Sequence, residues 1–503
     1  MLRKIRITLA VLFFAAVTML FLDFTGAIHA WIGWTAKIQF LPALLALNVG
    51  VVVALLLITL LLGRVYCSVI CPLGVMQDAI SWLNGRRSSK HRHRFTYSPE
   101  KRWLRYGVLA AFVACLVGGV GSVAALLAPY SSYGRIAANL FAPIYGWCNN
   151  LLAYFAERLD SYAFYSTDVW IASLPTLLIA IVTFVAIAVL AWRGGRTYCN
   201  TICPVGTVLG FVSHFSLLRP TIDTSKCNAC GLCGRRCKAS CINSKQHSID
   251  YSRCVACMDC IDTCKHGAIK LRLRTRASKE TDTAEKPVVT TEQIDTARRT
   301  FITATAVVAA TSALKARGKK VDGGLAVIED KKVPARATHI VPPGAWSARH
   351  FAQHCTACQL CVQSCQSDVL RPSTDLQRLM QPEMSYERGY CRPECNRCSQ
   401  VCPAGAIKPI TIEDKSSTRI GHAVWVKKNC IPLTDGVECG NCARHCPTGA
   451  ILMVPSDAGN PDSLKIPVVN TERCIGCGAC ENLCPARPFS AIYVEGHTVH
   501  STY

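Results

Sequence analysis

Six stretches of this chain carry four cysteines each, and their spacing is what any chemistry must explain. CNACGLCGRRC holds Cys227, Cys230, Cys233 and Cys237, and CVACMDCIDTC holds Cys254, Cys257, Cys260 and Cys264. CTACQLCVQSC holds Cys355, Cys358, Cys361 and Cys365, and CRPECNRCSQVCP holds Cys391, Cys395, Cys398 and Cys402. CIPLTDGVECGNCARHCP holds Cys430, Cys439, Cys442 and Cys446, and CIGCGACENLCP holds Cys474, Cys477, Cys480 and Cys484. Tight, recurring x2 and x3 gaps suit thiolates that share a metal cluster far better than long-range disulfides. A lone C-x-x-C could bind zinc or act as a redox dithiol, but an array of zinc sites explains six such blocks poorly.

The C-x2-C-x2-C-x3-C run resembles that of a two-cluster bacterial ferredoxin. There a close triad wraps one corner of a cubane and the fourth cysteine ligates the other cluster. The resemblance implies one set of Cys227, Cys230, Cys233 and Cys264, and another of Cys254, Cys257, Cys260 and Cys237. Lys238 stands where proline usually follows, and Cys241 competes with Cys237 as fourth ligand. Spacing favours Cys237. The four later blocks imply four more [4Fe–4S] clusters, six in all, without showing how fourth ligands are exchanged. Gly231, Gly234, Gly440 and Gly478 permit close backbone wrapping.

Four further thiols lie in a repeated turn. GRVYCSVICPLG, from Gly63, supplies Cys67 and Cys71, and GRTYCNTICPVG, from Gly195, supplies Cys199 and Cys203. Pro and Gly interrupt a helix in each copy, and interrupted helices in pseudo-repeats often face each other to build a site. The four thiols are expected to meet and bind a seventh iron–sulfur centre. A redox dithiol pair, or helix-end thiols with a folding role, are the alternatives. Haem has no C-x-x-C-H attachment sequence, and His29 and His214 lie only near the ends of apolar runs. No Gly-rich dinucleotide fingerprint occurs in a βαβ setting. Cys115 reads as packing, and Cys148 has no partner in sequence.

The elements that must hold these groups are of two kinds. Half of the 503 residues are apolar. Apolar runs at Ile7–Leu22, Leu41–Leu62, Trp103–Ala128 and Trp170–Trp192 are each near the ~20 residues that cross a bilayer. The basic stretches MLRKIR, GRRSSKHRHR (Gly85–Arg94) and WRGGR (Trp192–Arg196) then place the N-terminus and both cysteine turns on the cytoplasmic side. A fifth apolar stretch, Thr300–Leu314, covers only about 22 Å as a helix. Arg298-Arg299 before it resembles a twin-arginine export signal, which would put the remainder outside the cytoplasm; a short surface helix beside a charged linker is the alternative. The expected fold is an α-helical membrane domain of four spans, with a candidate fifth, plus two α+β ferredoxin-like modules. The boundaries are 1–220 for the membrane domain, 221–276 for a cytoplasmic two-cluster module, 277–297 for a linker, 298–316 for the anchor, 317–345 for a second linker and 346–503 for a four-cluster module. The formal charge of +23 does not argue for nucleic acid. Each thiolate-bound cubane is a net dianion, so six or seven would remove roughly 12–14 units.

Residues 1–276 resemble a NapH-type quinol dehydrogenase membrane subunit, and residues 298–503 resemble its NapG-type exported ferredoxin partner. The resemblance is to a fusion of the two. It implies a multi-pass protein of the bacterial inner membrane with its C-terminal module in the periplasm. Its partners would be lipid, the quinol pool, and a periplasmic or membrane-associated reductase or cytochrome. Electrons would pass from quinol to a reductase of the nitrate-reductase type. The wider family also serves metal-centre maturation, so an electron-donating maturation factor is the alternative function. A cytoplasmic oxidoreductase subunit is a third.

Overall fold

The structure, a computed structural model, describes residues 2–23, 25–86, 95–161, 163–274 and 329–502. The 277–297 linker, the twin-arginine-like pair and the Thr300–Leu314 stretch lie outside the described residues.

Among the described residues, two helices, Leu2–Leu22 and Leu174–Gly194, are long and apolar enough to cross a membrane. The other two expected spans are interrupted. Leu41–Leu62 is split into Phe40–Leu45 and Val49–Leu62, because Leu47 takes a left-handed conformation and Asn48 caps the second piece through Val51 N–H. Trp103–Ala128 is split into Arg102–Val117 and Gly121–Leu127 at Gly118-Gly119. Residues 129–158, between the third and fourth apolar runs, are helical. Pro129 opens the helix Pro129–Ile136, which is buried along its whole length. A π-helical turn at Ala137–Phe141 joins it to Ala142–Arg158.

Each cysteine turn is a short helix, then Cys-Pro, then a second helix. The pieces are Val65–Val69 with Pro72–Gly85, and Thr197–Thr201 with Pro204–Ser213. Proline at the first helical position has no N–H to leave unpaired, so it starts the second helix without cost.

The first module is built on an antiparallel pair, Leu218–Ile222 with Ile269–Leu273, and a two-residue pair, Ile242–Asn243 with Ser248–Ile249. The second module has three antiparallel pairs. They are Leu370–Pro372 with Pro382–Met384, Thr418–Trp425 with Ile492–Thr502, and Ile451–Asp457 with Asn460–Val469. Its N-terminal approach is bound to it: Lys331 donates to Glu481 O, Asn482 O and Cys484 O, and Ile340 and Val341 are buried.

The two modules sit at opposite ends of the two long helices. At the start of the first, Arg3 pairs with Asp259 of the first module; at its far end Phe21 packs beside Gly134, where Cys358 of the second module also comes. In the other long helix the order reverses. Asp168 and Trp170, before its start, meet Arg388 of the second module, while Arg196, past its end, donates its N–H to Lys238 O of the first. At 1.5 Å per residue, each 21-residue helix separates the modules by about 31 Å.

Candidate metal centres

In the first module, Cys227, Cys230, Cys233 and Cys264 line one cavity. Cys237, Cys241, Cys254, Cys257 and Cys260 line a second. Each triad is shaped by left-handed residues two and four places after its first cysteine: Ala229 and Gly231, then Ala256 and Met258. The same offsets recur at Ala357 and Gln359 and at Gly476 and Gly478 in the second module. Four loops thus share one coil, held even where a non-glycine residue must accept a disfavoured φ. The Cys237 and Cys241 sulfurs lie 3.5 Å apart. The charge of Cys237 acts on both Cys257 and Cys260, whereas Cys241 contacts Cys254.

The second module pairs its four blocks two by two. Cys402 lies within Coulomb reach of Cys355, Cys358 and Cys361, while Cys365 acts on Cys391 and Cys398, which also feel Cys395. Likewise Cys484 acts on Cys430 and Cys442, which also feel Cys439, and Cys446 acts on Cys474 and Cys477, which neighbour Cys480. The fourth cysteine of each block therefore sits with the triad of its neighbour. Burial pushes the Cys358 thiol up to about 11, and burial, followed by Cys484 and its other neighbours, pushes Cys442 to about 11 as well. Thiols pushed up at these two positions give up their protons when they ligate a metal.

The repeated turns converge on each other. Cys67, Cys71, Cys199 and Cys203 are all buried. Cys203 lies within Coulomb reach of the other three. Between the halves runs a reciprocal exchange. Arg64, in the first Gly-Arg, donates to Cys199 O in the second turn (3.1 Å), and Arg196, in the second Gly-Arg, donates to Cys67 O in the first. Gly74 and Gly206 make room for this. A Cβ on Gly74 would overlap Cys67 O and come 2.7 Å from Arg196, and one on Gly206 would overlap Cys199 O and come 2.9 Å from Arg64. Gln77 donates to Cys199 Sγ at 3.3 Å, and Arg64 lies 3.8 Å from Cys67 Sγ.

Charge around the turns is unequal. Asp78 is shared by Arg6 (3.0 Å), Arg196 (2.9 Å) and Lys238 (3.7 Å). Among the described residues, the contacts of fully buried Arg64 are to neutral groups: Asn200 Oδ1, Ser252 O, Cys199 O and a thiol. Arginine stays protonated, and an uncompensated buried cation is costly. An anionic tetrathiolate centre at the turns would answer that charge. Lys238, the departure from the ferredoxin pattern, also has a role here. Its carbonyl accepts from Arg196 N–H, and its ammonium bridges Asp78 and Asp259 (3.2 Å), tying the first module to the turns.

Donor chemistry fits cubanes. Among the described residues no three His, Cys, Asp or Glu side chains converge closely enough to hold a single ion. The two thiol sets of the first module each line a cavity. Sequence reasoning did not find Arg64, Arg196 and Asp78 as parts of the site. The repeated Gly-Arg was the available signal for the first two. Cys115 is half-buried and Cys148 exposed, and neither joins a thiol group.

Comparison with known proteins finds 4Fe-4S families along the chain. A 4Fe-4S binding domain family matches residues 44–91 and 176–222, the two turn-bearing segments. A second 4Fe-4S binding domain family matches 247–270, and a 4Fe-4S dicluster domain family matches 437–487. The chain is 28% identical over 158 residues to the ferredoxin-type protein NapF of Escherichia coli K12, covering 31% of this chain and 87% of NapF. It is 32% identical over 170 residues to the methylamine utilization ferredoxin-type protein MauM of Methylophilus methylotrophus, covering 32% of this chain and 72% of MauM. With the ferredoxin-type protein NapG of E. coli K12 it shares 31% identity over 175 residues, 32% of this chain and 75% of NapG. No solved structure matches it.

Proposed function

Since the chain belongs to the ferredoxin-type 4Fe-4S proteins, and so carries electrons on iron–sulfur clusters, we propose that it oxidises quinol at the membrane and delivers the electrons to a periplasmic reductase or cytochrome. The six ferredoxin blocks hold six cubanes, and the four thiols of the repeated turns hold a seventh. When bound, each cubane accepts and returns one electron. The residues of this chain do the rest. Thiolates grip the iron, buried arginines balance the anionic charge, and the apolar helices anchor the assembly in lipid. The two candidate spans support a multi-pass inner-membrane protein with the first module in the cytoplasm and the second outside.

The observation that carries this reading is the convergence of four thiols from two matched segments beside an unneutralised buried arginine. It supports a redox centre within the helical domain. Two names among the relatives, Nap and methylamine utilization, favour leaving the acceptor open, because one scaffold can serve several electron sinks. An electron-donating role in maturation of another metalloenzyme is the second reading.

The test is anaerobic titration of the full-length protein in lipid nanodiscs with a reduced menaquinol analogue. Cluster reduction is followed by visible bleaching and EPR. Reduction by quinol supports the proposal. Clusters that dithionite reduces, but that no quinol reduces, overturn it in favour of the maturation role.

A further inference from the structure

We infer that the thiol sets form one linear relay through the helical domain, with Cys67, Cys71, Cys199 and Cys203 as its middle station, so that electrons pass between the two modules without leaving the protein. This rests on the reading that the thiol sets hold iron–sulfur centres, and it adds an order and a route that quinol oxidation alone does not require.

The order follows from contacts. On the side of the first module, Arg64 donates to Ser252 O (3.1 Å), two residues before Cys254, and also reaches the turns at Cys199 O and Cys67 Sγ. Arg196 N–H meets Lys238 O, the residue after Cys237. One arginine side chain therefore separates the Cys237–Cys254 set from the turns. On the side of the second module, Tyr198 precedes Cys199 and donates to Leu127 O at 2.9 Å, and Arg135 lies within Coulomb reach of both Tyr198 and Cys358. The helix carrying Arg135 is pressed onto the Cys358 loop. Gly134 leaves no space for a Cβ against Cys358 O, and Asn139 donates to Gln359 at 2.7 Å.

Beyond that point the second module continues the series. Cys361 neighbours Cys398, Cys391 N–H donates to Cys477 O (2.9 Å), and Cys480 neighbours Cys442. The sequence of stations is then the Cys227 set, the Cys254 set, the four turn thiols, the Cys355 set, the Cys391 set, the Cys474 set and the Cys430 set. The Cys430 set is terminal, and its loop exposes Leu433 and Val437, which suits exit to a docked acceptor. Each hop moves one electron from a reduced centre to its oxidised neighbour. No bond to carbon or hydrogen forms or breaks. The terminal reductant is a low-potential one-electron donor at the first module, and the terminal oxidant is a one-electron acceptor at the second.

The experiment uses the full chain in quinone-free phospholipid vesicles with ferricyanide sealed inside and dithionite added outside. Wild-type protein should bleach the trapped ferricyanide well above the rate of protein-free vesicles. Cys67→Ser and Cys199→Ser should slow it at least tenfold, with about four fewer irons per chain and the EPR signals of both modules retained. Two results overturn the relay: bleaching that needs an added menaquinone analogue, or wild-type rates in either variant. The first would leave quinol oxidation standing. If a variant also loses the module signals, freeze-quenched EPR of the wild type decides. Centres of the second module that stay oxidised after dithionite, in the absence of quinone, sink the inference; their reduction supports it.

Discussion

Substituting Gly74 by Ala tests whether the two turns form one site. The added methyl would overlap Cys67 O and crowd Arg196, and neither can retreat. Cys67 O is backbone, and Arg196 is fully buried with its other nitrogens on Asp78. Overpacking of this kind costs roughly 1–3 kcal/mol. Losing the charge-assisted bond from Arg196 to Cys67 O adds roughly 1.5–3 kcal/mol. The sum of about 2.5–6 kcal/mol is below or near a typical domain's whole stability of roughly 5–15 kcal/mol. It should therefore open the interface between the repeats before it unfolds the chain. Gly206→Ala meets the mirrored pair, Cys199 O and Arg64, and should behave alike. Gly107→Ala is the control, because nothing lies within 4 Å of its Cβ position and it sits inside the helix Arg102–Val117; alanine there should be neutral or stabilising by about 0.5–1 kcal/mol. Iron and acid-labile sulfide per chain are the readout. Seven cubanes give about 28 irons; Gly74→Ala and Gly206→Ala should each lose about four, and Gly107→Ala none. Full iron content in both turn variants would refute the claim that the reciprocal contacts hold a centre.

Asp78→Asn should be among the most destabilising single changes in the helical domain, by about 3–5 kcal/mol, because it leaves Arg6 and Arg196 buried without their shared carboxylate; thermal unfolding in detergent measures it. Tyr386→Phe should cost the second module roughly 1–3 kcal/mol, since the buried hydroxyl donates to Gly476 O at 2.6 Å and leaves that carbonyl unpaired; the unfolding midpoint in guanidinium measures it. Burial, then Arg378, pushes His339 down to about 4, and burial, then His497, does the same for His500. In the unfolded chain these rings bind protons near pH 6.5 while the folded ones do not, so their contribution is complete above about pH 6.5 and is lost as pH falls toward 4. The denaturant midpoint of the second module should drop between pH 7.5 and 5, and His500→Leu should flatten that drop.

The thiol blocks were legible because ligand spacing is local. C-x2-C-x2-C sets where three sulfurs can go, whatever surrounds them. The fourth ligand is a tertiary matter, and nothing in CRPECNRCSQVCP alone says that Cys402 will sit with Cys355, Cys358 and Cys361. The apolar runs were legible as helix but not as span. Hydropathy averages over Leu47 and Asn48, whose conformations end one helix and cap the next. Residues 129–158 fall outside the apolar runs because Tyr, Ser and Asn dilute their hydropathy. They fold inward because Tyr133 bonds Thr18 and Arg135 donates to Ala125 O at 2.9 Å. Arg196 was counted among the basic residues that mark a cytoplasmic edge, yet it is wholly buried. A charge count cannot tell a solvated arginine from one that braces a turn.

That bracing explains why the turn is doubled. A Cys-x-x-x-Cys-Pro turn leaves the carbonyl of its first cysteine without a helical partner, because the N–H four residues on, that of Cys71 or Cys203, bonds instead to Tyr66 O or Tyr198 O. The donor comes from the other half: Arg196 for Cys67 O and Arg64 for Cys199 O. Neither turn is complete alone, and each guanidinium brings its charge to the thiols of its partner. A defect made in one half must then appear in the other. Arg64→Ala strands Cys199 O in the second turn, while Arg196→Ala strands Cys67 O in the first and also frees Asp78 to pull on Arg6 and Lys238. The two substitutions are equivalent by sequence position and unequal by charge, since only Arg196 has a carboxylate to lose. The second should therefore also loosen the first module from the helices, because Asp78 and Lys238 are part of its attachment.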